Sequence, residues 1–142
     1  MLPALTNPYP SYISGWSALS RHAMIEQIPR ATFAVSLGRP RTYESAVGRF
    51  EIHQLHPDVF GGFTGGDGIR AGVATPAKAL FDTVYLLATR NGQVTLPELE
   101  LPDDFDPGEL QHWLESIPST RLRTLTSGSL ARLVATATPQ SA

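Results

Sequence analysis

Hydrophobic and polar residues alternate from Thr32 to Leu37, with Phe33, Val35 and Leu37 on one side and Thr32, Ala34 and Ser36 on the other. This period of two predicts a half-buried strand. After a turn at Gly38-Arg39-Pro40-Arg41, Thr42 to Glu44 and Arg49 to Leu55 read as two more strands joined through Ser45-Ala46-Val47-Gly48. A small antiparallel sheet is the expected result. The period then changes to that of a helix: Thr75 is a good N-cap, Pro76 suits the first helical position, and Ala77, Leu80, Phe81, Val84, Leu87 and Ala88 form an i, i+3, i+4 stripe that ends at Asn91-Gly92. This helix should pack on the sheet. An earlier helix is predicted from the cap Ser14 to about Ile25, with Trp16, Leu19 and Ala23 on one face and Pro29 beyond its end. Asp106-Pro107-Gly108-Glu109 opens another, with Leu110, Trp113, Leu114 and Ile117 inward. A last helix from about Ser119 carries Leu122, Leu125, Leu130, Leu133 and Val134, and Gly128 inside it costs about 1 kcal/mol relative to Ala.

Between these elements, Pro3, Pro8 and Pro10 are expected to keep the first ten residues extended. The glycines at 61, 62, 65, 66, 68 and 72 predict a mobile surface loop. Residues 93–106 read as irregular and acidic, and the last five as a fraying tail. At 142 residues and 15.4 kDa the chain suits one domain. The expected organisation is an extended segment over 1–10, a single α+β domain over 11–137 with a helical C-terminal part, and a flexible tail over 138–142. No apolar run reaches the roughly 18 residues that span a bilayer, and no basic start with an apolar stretch marks a secretory signal. A cytoplasmic protein without membrane contact is therefore expected. The absence of cysteine excludes disulfides, thiolate metal sites and a cysteine nucleophile.

Net charge is -2, but its distribution is uneven: residues 1–90 hold eight basic and six acidic side chains, 91–120 hold seven acidic and no basic ones, and 121–142 hold three Arg. Distinct basic and acidic surfaces should result. Arg39, Arg41 and Arg49 fall on the first hairpin, where phosphate or an acidic protein partner could be held. No catalytic constellation emerges. The glycine run lacks the GK[ST] of a phosphate loop, and Gly15-Trp16-Ser17-Ala18-Leu19 lacks the second glycine of a nucleophile elbow. His53, His56 and Asp58 converge as metal ligands only if the strand ends between the two histidines. Asp103, Asp104 and Asp106 read as a solvated acidic loop. Neither a cofactor nor a metal is expected.

The order of short motifs adds a further expectation. Tyr12-Ile13-Ser14, Ser17-Ala18-Leu19-Ser20 with His22, Gly38-Arg39-Pro40-Arg41-Thr42-Tyr43-Glu44, Gly48-Arg49-Phe50, Pro57-Asp58-Val59-Phe60-Gly61 and Ala74-Thr75-Pro76-Ala77-Lys78-Ala79-Leu80-Phe81-Asp82 follow one another over residues 9–90. Their order and spacing resemble the second domain of AbiEi-type antitoxins, the antitoxins and transcriptional regulators of bacterial abortive-infection toxin-antitoxin systems. Two departures stand out. Members usually carry a winged-helix DNA-binding domain ahead of the Tyr-Ile-Ser segment, whereas only about ten residues precede it here, too few for such a domain. The family also usually has His-Gly-Leu and Thr-Pro-Glu-Lys where this chain has His22-Ala23-Met24 and Thr75-Pro76-Ala77-Lys78. The resemblance implies a non-enzymatic antitoxin or regulatory domain that opposes a nucleotidyltransferase-like toxin, with or without direct binding. The charged contacts expected on this basis are Arg39, Arg41, Arg49 and Lys78, with Asp82 as the i+4 partner of Lys78 in a surface pair. The alternatives are a DNA- or RNA-binding regulator subunit, one part of a split or truncated gene, and a small enzyme using the glycine-rich loop.

Overall fold

The computed structural model describes residues 2–6, 8–26, 28–46, 48–66, 71–90 and 98–139. The fold is α+β. A six-stranded sheet is built from β1 (Ser11–Ile13), β2 (Ala31–Ser36), β3 (Arg41–Ser45), β4 (Gly48–Gln54), β5 (Phe63–Thr64) and β6 (Gly72–Ala74), in the order β3-β4-β2-β1-β6-β5. It is mixed rather than antiparallel. β4 runs parallel to β2, with Ala31 beside Arg49 and Phe33 beside Glu51, and β6 runs parallel to β1. Burial explains the order: β4 brings Phe50 and Ile52 to one face and must be covered on both edges, while the largely exposed β3 suits the rim. The chain therefore turns out to the rim as β3 and returns between β3 and β2.

Both faces of the sheet are covered. On one, α2 (Gly15–Arg21), α3 (Pro76–Ala88), α4 (Pro107–Glu115) and α5 (Thr120–Thr136) enclose the main core of Tyr12, Leu19, Val35, Leu80, Phe81, Ile117 and Leu130. On the other, α1 (Leu2–Thr6) presses Leu2 onto Ile13, Ala34 and Ile52. The extended start predicted from the prolines is thus a short helix. Pro3 lies in its first turn, where a missing N–H leaves no hydrogen bond unmade.

Within α3, Thr75 accepts the amide hydrogen bond of Lys78 and Pro76 takes the first position, as the sequence predicts. The helix is not amphipathic, however. Every residue of Pro76–Ala88 except Leu87 is buried, because α2, α4, α5 and β6 all pack against it. In α5, Leu125 points outward at 42% exposure and Thr126 takes the buried position one residue on. The glycine-rich stretch contains β5 and β6 where a loop was expected, and Thr138–Pro139 pairs in parallel with Glu100–Leu101 where a frayed tail and an irregular segment were expected. Asn91-Gly92, residues 67–70, the acidic stretch up to 97 and residues 140–142 lie outside the described residues.

The helix starting at Gly15 ends at Arg21, four residues before Ile25, because Ala23 turns the chain with φ 57°. Met24 is then folded inward, with its N–H donating to Leu19 O at 2.9 Å. An L-residue in the left-handed region carries a cost of about 1–2 kcal/mol that glycine avoids. Ala23→Gly should accordingly raise stability by up to about 1 kcal/mol, part of the relief being offset by the greater freedom of glycine in the unfolded chain. Urea denaturation measures the gain, and a clear loss would show that the turn is not strained.

Candidate functional site

Two hydroxyls on either side of Ile13, one in the short strand β1 and one just after it, are committed inside the protein. Tyr12 OH donates to Asp82 Oδ2 at 2.9 Å, and Ser14 Oγ, just beyond the strand, donates to the same oxygen at 2.6 Å. Lys78 Nζ donates to Tyr12 OH at 2.9 Å and forms an ion pair with Asp82 Oδ1. Lys78 and Asp82 are both 0% exposed. They are one helical turn apart, as expected, but the pair is not on the surface and neither residue is available to a partner. The ammonium also lies 4.6 Å from the Trp113 ring centroid and 5.2 Å from that of Phe81, so the side of the cation not used in hydrogen bonds meets aromatic faces. Gly62, at φ 70°, closes the remaining approach: a Cβ there would lie 2.8 Å from Lys78 Cγ.

Burial pushes the Asp82 carboxyl up and the Lys78 ammonium down, and their mutual attraction opposes both shifts. Burial, followed by the neighbouring Asp82 charge, pushes the Tyr12 hydroxyl up. With no path to solvent, this cluster ties β1, α3 and α4 together and presents no nucleophile or base to a ligand. Ser14 shows the same priority. It occupies the N-cap position of α2, yet its side chain makes no capping bond: the hydroxyl is turned inward instead and donates to the buried carboxylate.

Glu109 of α4 brings a carboxylate to the start of α3. Its Oε2 accepts from Thr75 Oγ1 at 2.7 Å and from Trp113 Nε1 at 3.3 Å. A carboxylate thus stands at the positive end of the helix, supplied across space rather than from position 77.

Arg39, Arg41 and Arg49 do not form one cluster. Arg41 pairs in register with Ile52, so it lies on the α1 side of the sheet, while Arg49 belongs with Glu51 and His53 on the opposite side. Arg39 and Arg41 are exposed and line a recess of about 470 Å³ with Tyr9 and Gln54. Arg41 NH1 donates to Tyr43 OH at 3.2 Å, and that hydroxyl donates to Leu5 O at 3.2 Å. Arg49 stands 3.7 Å from Glu44 across the hairpin.

Ser17, His56 and Asp106 have structural partners. His53 stacks on Phe33 at 4.3 Å, whereas His56 Nδ1 accepts from the Asp58 amide, so the two rings do not converge. No group of three metal-ligating side chains occurs among the described residues. Ser17 Oγ accepts from Phe33 N at 2.7 Å and donates to Ala31 O at 3.3 Å, fastening α2 to β2. Asp106 caps α4 through Gly108 N at 2.9 Å, and Asp103 and Asp104 are exposed. No helix among the described residues is long and apolar enough to cross a membrane. No family model matches the chain, and no curated protein or solved structure is significantly similar to it.

Proposed function

We propose that this protein is a non-enzymatic antitoxin or regulatory domain that opposes a nucleotidyltransferase-like toxin in a bacterial cytoplasm. The observation that supports this reading is the meeting of its distant motifs. Tyr12 and Ser14 of the Tyr-Ile-Ser segment join Lys78 and Asp82 of the Thr-Pro-Ala-Lys-Ala-Leu-Phe-Asp segment in one buried network, and Gly61 packs against Trp113 above it. Residues spread over seventy positions of sequence that carry the resemblance to AbiEi-type antitoxins therefore serve one structural purpose. Ala23 supports the same reading: where that family usually has glycine, this chain adopts a glycine-like φ of 57°.

The surface left for function is then the exposed one, and among the exposed cations of the motifs Arg39 and Arg41 share one recess, with Arg49 across the sheet. Co-expression of the domain should protect cells from a nucleotidyltransferase-like toxin encoded beside it. Changing Arg39 and Arg41 together to Glu should abolish protection with little effect on thermal stability, since exposed charges contribute little to folding. Neutralising Asp103 and Asp104 serves as the control and should spare it. Failure of the unaltered domain to protect would remove the reading, and full protection by the double Arg variant would remove this surface from the mechanism.

The second reading, a nucleic-acid-binding regulator subunit, draws on the same recess, where the two guanidinium groups flank the 52%-exposed Tyr9. A gel shift on the protein's own promoter separates the two readings.

A further inference from the structure

The helix-covered face of the sheet is not filled along its whole length. At the end of the core, β4 presents Arg49, Glu51 and His53 at alternate positions, with the small Ala31 beside Arg49 and Phe33 beside Glu51 on β2. Between this strip, Trp16 of α2 and the end of α3 at Leu86, Leu87 and Arg90 lies a groove of about 820 Å³, with Arg30 and the 86%-exposed Ile28 at its lip. That volume is in the range of about 300–1,000 Å³ found for small-molecule sites.

Three features of the groove constrain what fits it. Its rim is cationic: Arg30, Arg49 and Arg90 face one carboxylate lining the groove, Glu51, and one just outside it, Glu44, 3.7 Å from Arg49. Its floor is largely apolar, formed by Phe33, whose ring stacks on that of His53 at 4.3 Å with an interplanar angle of 17°, together with Trp16 and Leu86. It also holds one unsatisfied polar atom, on His53. Arg90 NH2 lies 3.1 Å from His53 Nδ1, and a guanidinium only donates, so Nδ1 accepts and the ring proton sits on Nε2. That Nε2 is buried with no hydrogen-bond partner among the described residues. Burial, then the neighbouring Arg90 charge, holds His53 below its ordinary value, which favours this neutral form, with Glu51 opposing.

We propose that this groove binds a nucleoside phosphate, with the base and ribose on the apolar floor and the phosphate held by Arg49 and Arg90. Inorganic phosphate would satisfy the rim and leave the floor bare. A fatty acid would cover the floor but offer no donor to Glu51. A nucleoside phosphate supplies a planar ring, hydroxyl or amino donors for the carboxylate, and an anion for the guanidinium groups. The proposal rests on the groove alone and holds whether or not the chain counteracts a toxin. The nucleoside phosphate is either a free nucleotide or the 5′ end of a single strand.

Isothermal titration of the whole protein with nucleoside triphosphates, the parent nucleosides, tripolyphosphate and a 5′-phosphorylated single-stranded octanucleotide tests it. A triphosphate or the octanucleotide should saturate one site, with nucleoside and tripolyphosphate each weaker by about tenfold or more. Tighter binding of the octanucleotide identifies a strand end as the source, and tighter binding of the triphosphate a free nucleotide. Arg49→Glu and Arg90→Glu should each weaken binding by about tenfold or more, whereas Arg39→Glu, across the sheet, should leave it unchanged. If either charge reversal impairs folding, amide shift mapping on the unaltered protein replaces it, with changes expected at residues 30–33, 49–53 and 86–90. Absence of saturable binding by any of these probes, undiminished binding in both variants, or shifts confined to other residues would overturn the proposal.

Discussion

Replacing Asp82 with Ala should cost about 3–5 kcal/mol, the usual penalty for stranding one member of a buried ion pair. The loss is large because the carboxylate answers three groups at once. Lys78, Tyr12 and Ser14 all point hydrogen-bond donors at it, and the ammonium left behind is 0% exposed. Lys78→Met should cost less. It leaves the carboxylate with two hydroxyl donors, whereas Asp82→Ala leaves the ammonium with the Tyr12 oxygen alone as acceptor. Urea denaturation of the two single variants and the double variant gives both the order and the coupling energy. A loss below about 1 kcal/mol for Asp82→Ala would mean that the pair is hydrated and the helix less enclosed than described. Against a typical total stability of about 5–15 kcal/mol, the expected loss leaves a marginal fold.

Phe81→Ala is the second large effect, expected at about 3–5 kcal/mol. The ring is 0% exposed, stacks on Tyr85 with centroids 5.6 Å apart and lies 6.4 Å from Trp113. Truncation would remove both contacts and one wall of the aromatic enclosure around Lys78. The rigid neighbours Tyr85 and Trp113 cannot collapse into the space, which places the cost toward the upper part of the range. Thermal melts at matched pH should therefore show a drop well beyond that of an exposed substitution. A change of less than about 1 kcal/mol would mean that the ring does not fill this core.

The elements that local chemistry specifies were legible in the chain. Thr75-Pro76 and Asp106-Pro107 mark the starts of α3 and α4 through caps that need no tertiary partner, and the alternation from Thr32 to Leu37 marks β2. What depends on long-range pairing was not. An order of β3-β4-β2 and one of β2-β3-β4 demand the same alternation from each strand, so the mixed sheet left no periodic trace. Lys78 and Asp82 have the i, i+4 spacing of any exposed helical pair. Only two weak signals could have placed them inside: the small Ala77 and Ala79 around Lys78, which let neighbours approach closely, and the two hydroxyls flanking Ile13. The basic groove was hidden for a related reason. Arg49 and Arg90 are forty-one positions apart, and the strand parity that separates Arg49 from Arg41 follows from register across the β3–β4 turn rather than from closeness in sequence.

The pairing of Thr138–Pro139 with Glu100–Leu101 has a topological consequence. Thr138 N donates to Leu99 O at 3.0 Å, and Glu100 N donates to Met24 O at 2.9 Å, so both ends of the α4–α5 region are anchored at one point beside the end of α2. That region is a ring closed by hydrogen bonds. Lengthening a closed loop is inexpensive in polymer terms, since each doubling adds only about 0.6 kcal/mol of closure entropy. The exposed Pro118 between α4 and α5 is accordingly where this fold can absorb added length, while α4, which holds Trp113 over Lys78, stays in place. Cutting the chain before Thr138 does the opposite: it opens the ring and leaves α4 and α5 held by their packing on α3.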